Sequence, residues 1–334
     1  MNWQSQRNEL ARKLTDSAAW SFDALALEVF RYQARHNPLY ARYIDLLDTK
    51  PEEVEAIDQI PYLPISLFKT HDIQTGDWSP ALVFSSSGTT TTASSTSRHL
   101  LRDTAWYLSN AERCFSAFYG PVESRCFLAL LPSYLEREGS SLVYMAQHFI
   151  SRSPFRQSGF FLYEWNKLRG VLDECKEKNI QTVLLGVSFA LLDLAEQAPF
   201  HFPELLVMET GGMKGRRREL TREELHDILK EAFGVPSIHS EYGMTELLSQ
   251  AYSRGDGRFY PSPPMKVSAR EITDPLTTVP HGRPGALNII DLANLDTCSF
   301  LATDDLGKAY ADGSFEVLGR LDNSDIRGCN LLVS

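Results

Sequence analysis

"QTVLLGVSFALLDLAEQ", residues 181–197, joins an unbroken apolar run to a segment of helical character. A run without polar alternation predicts a strand covered on both faces, and the residues from Ser188 onward read as the helix that follows it. The same alternation extends outward in both directions. Upstream, "ESRCFLALLP" (123–132) is a short apolar strand, and "EWNKLRGVLDECKEK" (164–178) places Trp165, Leu168, Leu172 and Cys175 on one helical face. Downstream, "ELLVME" (204–209) and "PSIH" (236–239) are further strands, separated by the helix "REELHDILKEAF" (222–233). Thr221 with Glu224 forms a capping box at the start of that helix. Strands separated by helices of this length predict parallel βαβ units, with ligands bound at the loops that follow the strands.

Three zones follow. Residues 1–60 read as a helical segment: Leu25, Val29 and Phe30 recur at helical spacing until Asn37-Pro38 interrupts. Residues 61–250 form the α/β core. Residues 251–334 lose helical periodicity, and "GALNIIDLA", "CSFLATDDLG" and "SFEVLGRLD" read as a β-rich part. All three zones are expected to form a single large domain, since 334 residues suffice for one extensive core.

Composition excludes several function classes. Thirty-three basic against 43 acidic residues leave a net charge of -10, which argues against a nucleic-acid binder. The one dense basic stretch, Lys214 to Arg218, reads as a solvated turn. Five cysteines without a CxxC pair suit reduced thiols and a cytoplasmic location better than a disulfide framework or a zinc site. No signal-peptide h-region and no membrane span are expected. The segment "GVSFA" (186–190) lies where a serine hydrolase would carry its nucleophile elbow, but Ala190 replaces the last glycine of that motif. Ser188 is expected to be a helix N-cap, and a serine hydrolase is kept as the rival from another reaction class.

"FSSSGTTTTASSTSR" (84–98), read alone, is a flexible hydroxyl-rich connection without the lysine of a phosphate loop. "SEYGMTE" (240–246), after a predicted strand, offers a glycine for close backbone approach, a flat tyrosine face, and in Glu246 a hard oxygen ligand for Mg²⁺. These two, with "ATDDLG" (302–307) and "GRLDNSDIRG" (319–328) in that order, resemble the adenylate-forming superfamily of acyl-CoA ligases. The resemblance implies an ATP site. Ser87, Gly88, Thr89 and Thr90 would wrap the β- and γ-phosphates. Tyr242 would stack on adenine, Gly243 would belong to the same nucleotide site, and Gly211 and Gly212 would border the adenine. Thr245 would touch phosphate, Glu246 hold Mg²⁺, Asp305 hold the ribose hydroxyls, and Arg320 mark the end of the large domain. The family's lysine after the hydroxyl loop is missing here, so phosphate charge is expected to be met by Mg²⁺ or by an arginine such as Arg98.

The chain ends 15 residues after Gly319, so the family's small C-terminal domain, with its lysine, is expected to be absent. "ETGGMKGRRREL" (209–220), "HSEYGMTELLSQAYS" (239–253) and "DIRGCNLLV" (325–333) resemble the acyl-protein synthetase family, the luciferin-component ligase of bacterial fatty-acid reductase complexes. That likeness implies ATP-dependent activation of a fatty or other carboxylic acid, and transfer of the acyl group to a cysteine near the C-terminus, Cys329. An acceptor protein such as a reductase would then receive it, and a homo-oligomer is compatible with this reading. A phenylacetate-type acyl-CoA ligase and a non-catalytic nucleotide-binding protein are the remaining alternatives.

Overall fold

The computed structural model describes residues 2–16, 21–86, 96–132, 139–211 and 220–321. Three helices open the chain: α1 (Trp3–Thr15), α2 (Phe22–His36) and α3 (Pro38–Leu46). Asn37 ends one helix and starts the next, its Oδ1 accepting from the Tyr40 amide at 3.0 Å with Pro38 in the first turn. Helix stops at Leu46; from there to residue 60 only a single 3₁₀ turn forms, at Ile57–Gln59. The short strand β1 (Leu63–Pro64) follows, then the hairpin β2 (Leu82–Ser85) and β3 (Arg98–Leu101).

The predicted βαβ units are present. Strands β4 (Cys126–Leu130), β5 (Gly159–Phe161), β6 (Thr182–Val187), β7 (Leu206–Thr210) and β8 (Ile238–Tyr242) are parallel, and β9 (Ala251–Ser253) and β10 (Tyr260–Pro261) continue the sheet antiparallel. The order is β10-β9-β8-β7-β6-β4-β5. Helices α4 (Thr104–Tyr119), α5 (Ser141–Arg152), α6 (Trp165–Glu177), α7 (Ser188–Gln197) and α8 (Arg222–Phe233) pack with it. Leu168, Leu172 and Cys175 of α6 are buried, the face its periodicity marked. The Thr221–Glu224 capping box closes in both directions, at 3.2 and 2.8 Å.

A second sheet gathers β11 (Met265–Arg270), β12 (Pro284–Asp291), β13 (Phe300–Ala309) and β14 (Phe315–Arg320), with β1 parallel to β13. The opening helices are its cover. Phe30 meets Tyr40 and Phe300 edge-on at 6.1 and 6.0 Å, an arrangement favoured by ring quadrupoles. Polar side chains fasten the same contact: Arg7 pairs with Asp296 at 2.7 Å, and Asn37 Nδ2 donates to the Thr297 carbonyl at 2.9 Å. The architecture is thus α/β, with a helical N-terminal segment and a β-rich C-terminal part. No described helix is long and apolar enough to cross a membrane.

Candidate active site

The loop after β8, "GMTELLSQ", is held almost entirely through its backbone. Asp291, at the end of β12, accepts from the Leu248 and Ser249 amides at 2.8 and 2.9 Å, from Ser249 Oγ at 2.6 Å, and from the Ala293 amide at 3.0 Å. Asn294 Nδ2 donates to the Glu246 carbonyl at 2.8 Å, and Asn110 Nδ2 to the Leu248 carbonyl at 2.9 Å. His99 completes the set. Burial pushes its pKa down to about 4, so the ring is neutral; Nδ1 donates to the Thr245 carbonyl at 2.7 Å while Nε2 accepts from Thr297 Oγ1 at 3.0 Å. None of Asp291, Asn294 or His99 was marked by the sequence motifs.

Asp291→Asn tests that scaffold. The amide keeps the shape but turns an N–H₂ toward backbone donors, leaving at least one of them buried and unpaired. Hydrogen bonds to a charged group are worth about 1.5–3 kcal/mol each, so urea unfolding should show a loss of about 3 kcal/mol or more. An unchanged midpoint would mean that the loop is held by other contacts.

Glu246 is buried, 6% exposed, and Ser97, at the base of the hydroxyl-rich stretch, is close enough to act on its carboxyl. Burial raises its carboxyl pKa, with Ser97 acting in the opposite direction. The described ends of that stretch continue the β2–β3 hairpin: Ser86 N donates to the Ser97 carbonyl at 3.0 Å, and Ser97 N to Ser86 Oγ at 2.8 Å. Ser87, Gly88, Thr89 and Thr90 lie outside the described residues, as do Gly212 and Cys329. Gly211 is described, exposed, with φ 69°, a backbone state that favours glycine. Arg98, expected to face phosphate, pairs instead with Asp72 at 2.8 Å on the surface.

On the other side of Tyr242 the second sheet contributes a carboxylate. Tyr242 Oη donates to Asp305 Oδ2 at 2.7 Å, and Arg320 Nε, directly across the β13–β14 ladder, donates to Asp305 Oδ1 at 3.1 Å. The Tyr242 ring is buried and packs against Phe259 and Phe315 at 5.8 and 5.3 Å, so its edge is engaged by protein. Of the two adjacent aspartates, Asp305 is the one bonded to Tyr242. Gly243 and Thr245 lie between Tyr242 and Glu246 in sequence, and Gly243 is exposed.

Ser188 is not the N-cap expected of it. That place falls to Val187, and Ser188 Oγ donates to Glu209 Oε2 and to the Gly211 carbonyl, each at 3.2 Å. A serine that gives its proton to a carboxylate and a carbonyl has no imidazole base on it, which removes the support for the hydrolase alternative.

Solved structures share this arrangement of sheets. The chain is similar to 2-hydroxyisobutyryl-CoA ligase in complex with 2-HIB-AMP and CoA, with TM-score 0.66 and 16% identity over 90% of this chain and 68% of that one. ATP-bound MatB from Rhodopseudomonas palustris matches with TM-score 0.54 and 16% identity, over 73% of this chain and 49% of MatB. The fold is that of the adenylate-forming ligases. A luciferase-like enzyme from the nonluminescent mealworm Zophobas morio also matches, with TM-score 0.50, 18% identity and coverage of 75% and 60%. The chain spans about half the length of MatB. No protein-family model matches the sequence, and no curated protein does.

Among the described residues no group of three or more His, Cys, Asp or Glu side chains is placed to hold a metal. A single carboxylate nevertheless fits Mg²⁺, which commonly takes one or two protein carboxylates and completes its shell with water and substrate phosphate oxygens. Glu246, buried beside the hairpin base, has that chemistry.

Asp305→Ala tests the ribose role that the resemblance implies: with it, the variant is expected to raise the KM for ATP about tenfold or more while changing the KM for the acid little, since charge-assisted bonds would be lost. Steady-state kinetics in both substrates checks this, with Asp304→Ala as the control. Damage confined to the control would shift the ribose role by one residue.

Proposed function

We propose that the protein activates a fatty or other carboxylic acid with ATP and passes the acyl group to a protein thiol, in the manner of an acyl-protein synthetase. The observation that carries the reading is the convergence at one strand end. Glu246 meets the base of the hydroxyl-rich hairpin on one side, and Tyr242 meets Asp305 and Arg320 on the other. The described parts of these motifs, far apart in the chain, support that reading on a fold shared with adenylate-forming ligases.

In the first step a carboxylate oxygen of the acid attacks the α-phosphorus of ATP, the bond to the bridging oxygen of the β-phosphate breaks, and pyrophosphate leaves with its electron pair. The protein's share is positioning and charge. Asp305, already oriented by Arg320 and Tyr242, would accept from the ribose hydroxyls. Ser87, Gly88, Thr89 and Thr90 would donate to the β- and γ-phosphates, with Thr245 beside them. Gly211 and Gly212 would border the base next to Tyr242, with Gly243 beside it. Glu246 would hold Mg²⁺, which when bound neutralises phosphate charge.

In the second step the Cys329 thiolate attacks the acyl carbon and AMP leaves, giving a thioester. An acceptor protein such as a reductase then takes the acyl group, in the cytoplasm. The test is ATP–pyrophosphate exchange across a panel of acids, with and without CoA. Acid-dependent exchange indifferent to CoA supports the reading. Stimulation of pyrophosphate release by CoA would favour the phenylacetate-type acyl-CoA ligase, and no exchange with any acid a non-catalytic nucleotide-binding protein.

A further inference from the structure

Two thiols lie against each other at the end of the main sheet away from Tyr242. Cys126 opens β4 and Cys175 falls in the last turn of α6, and both are buried. Their sulfurs are 4.0 Å apart, and Ser158 Oγ donates to Cys126 Sγ at 3.6 Å. A disulfide holds its sulfurs about 2 Å apart, so the gap to close is about 2 Å, within the swing of side-chain rotation. The pair is chemically uneven. A thiolate on one sulfur accepts from the thiol of the other. That bond holds the Cys175 thiol down at about 7 against the effect of burial, and pushes the Cys126 thiol up. Cys114 and Cys298 are paired with no second thiol among the described residues, and burial pushes them up to about 11 and about 12. Of the described cysteines, Cys175 is thus the one with both thiolate character and a second thiol in reach.

A cavity of about 400 Å³ lies beside the pair. Its lining includes Arg125 and Lys176, the chain neighbours of Cys126 and Cys175. It also includes Ile180, whose amide donates to the Cys175 carbonyl at 2.9 Å, and Gln181, whose carbonyl accepts from the Cys126 amide at 2.8 Å. A reactant of nearly water size is thereby brought to within a residue of both thiols. Cys175 also stands at a helix end, and helix ends fray.

We propose that Cys126 and Cys175 close to a disulfide when the protein meets hydrogen peroxide, clamping α6 to β4. The chemistry is independent of adenylation. First the Cys175 thiolate attacks one peroxide oxygen and the O–O bond breaks. The sulfur is oxidised to a sulfenic acid, and the departing hydroxide takes up the proton that the thiol had released, forming water. The Cys126 thiol then attacks that sulfur: the S–S bond forms, the S–O bond breaks, and water leaves with the Cys126 proton. Two thiols and one peroxide thus give one disulfide and two waters. The closed loop contains α5 and β5, the strand at one edge of the main sheet, and so restricts the unfolded chain around that edge.

In the experiment the folded full chain is treated with hydrogen peroxide, alkylated after denaturation, and digested without reduction. Mass spectrometry should find the Cys126 and Cys175 peptides linked, with Cys114 and Cys298 recovered as alkylated thiols. The oxidised protein should melt about 5 °C above the reduced one. Dithiothreitol should reverse that gain, and Cys126→Ala and Cys175→Ala should lack it. The peptide map of the wild-type protein decides the outcome whether or not the variants fold. Recovery of Cys126 and Cys175 as alkylated thiols overturns the proposal, as does a sulfinic acid at Cys175 without a linked peptide. Links that also involve Cys114 or Cys298 would show scrambling in opened chains and overturn it too. A linked peptide with no gain in melting temperature overturns the clamp.

Discussion

Glu246→Gln should abolish acid-dependent ATP–pyrophosphate exchange while the protein stays folded. The amide preserves the shape and can still meet Ser97, but it lacks the charge that would hold Mg²⁺. Losing such a ligand removes a few kcal/mol of transition-state stabilisation, about a hundredfold or more in rate. Stability should move the other way. Burial raises the Glu246 carboxyl pKa, so this group's contribution to folding is present below the ordinary carboxylate range and lost as pH rises through the raised value. At neutral pH the neutral amide is therefore no worse for the fold than the buried carboxylate. In the wild-type protein the metal-binding form is the ionised one, so exchange should fall on acidification earlier than an ordinary carboxylate would require. Rates for the variant at the wild-type level would remove Glu246 from the metal site.

Cys329→Ser should separate the two proposed steps. Incubated with ATP and a labelled acid, the variant should retain exchange in full, because the thiol acts only after the adenylate has formed. The hydroxylamine-sensitive label on the protein should vanish. Arg327 stands two residues before Cys329 in sequence and Gly328 directly precedes it. The other four cysteines are buried in the fold. Burial pushes the Cys114 thiol up to about 11 and the Cys298 thiol up to about 12, which makes both poor nucleophiles. A thioester label persisting on the variant would send the search to Cys126 and Cys175, whose sulfurs lie 4.0 Å apart.

The βα units were legible because burial leaves a direct mark on composition. The run from Thr182 to Val187 has no polar alternation, and it became a central strand buried along its whole length. The hairpin that carries the hydroxyl-rich stretch was not legible. Its strands, "LVFS" and "RHLL", are four residues each, too short for a period to register beside so many serines and threonines. The motif residues Tyr242, Glu246, Asp305 and Arg320 announced themselves through resemblance. Asp291 and Asn294 did not, because they sit in "IIDLAN", where apolar neighbours dominate the reading. Their partners lie about 40 residues away, at Leu248, Ser249 and Glu246. A buried polar side chain has no local pattern, since its reason for being there is supplied by another part of the chain.

The cover of the second sheet has a consequence for the order in which this protein can be made. Arg7 meets its carboxylate 289 residues later, and Gln33 reaches a carbonyl 261 residues on. These helices therefore leave the ribosome before the sheet they cover, and the faces that meet it wait for about 260 further residues to be synthesised. At about 5–20 residues per second that wait lasts on the order of tens of seconds. Chaperones have a long interval in which to bind the nascent amino-terminal helices, and a stalled or shortened chain would display those faces permanently.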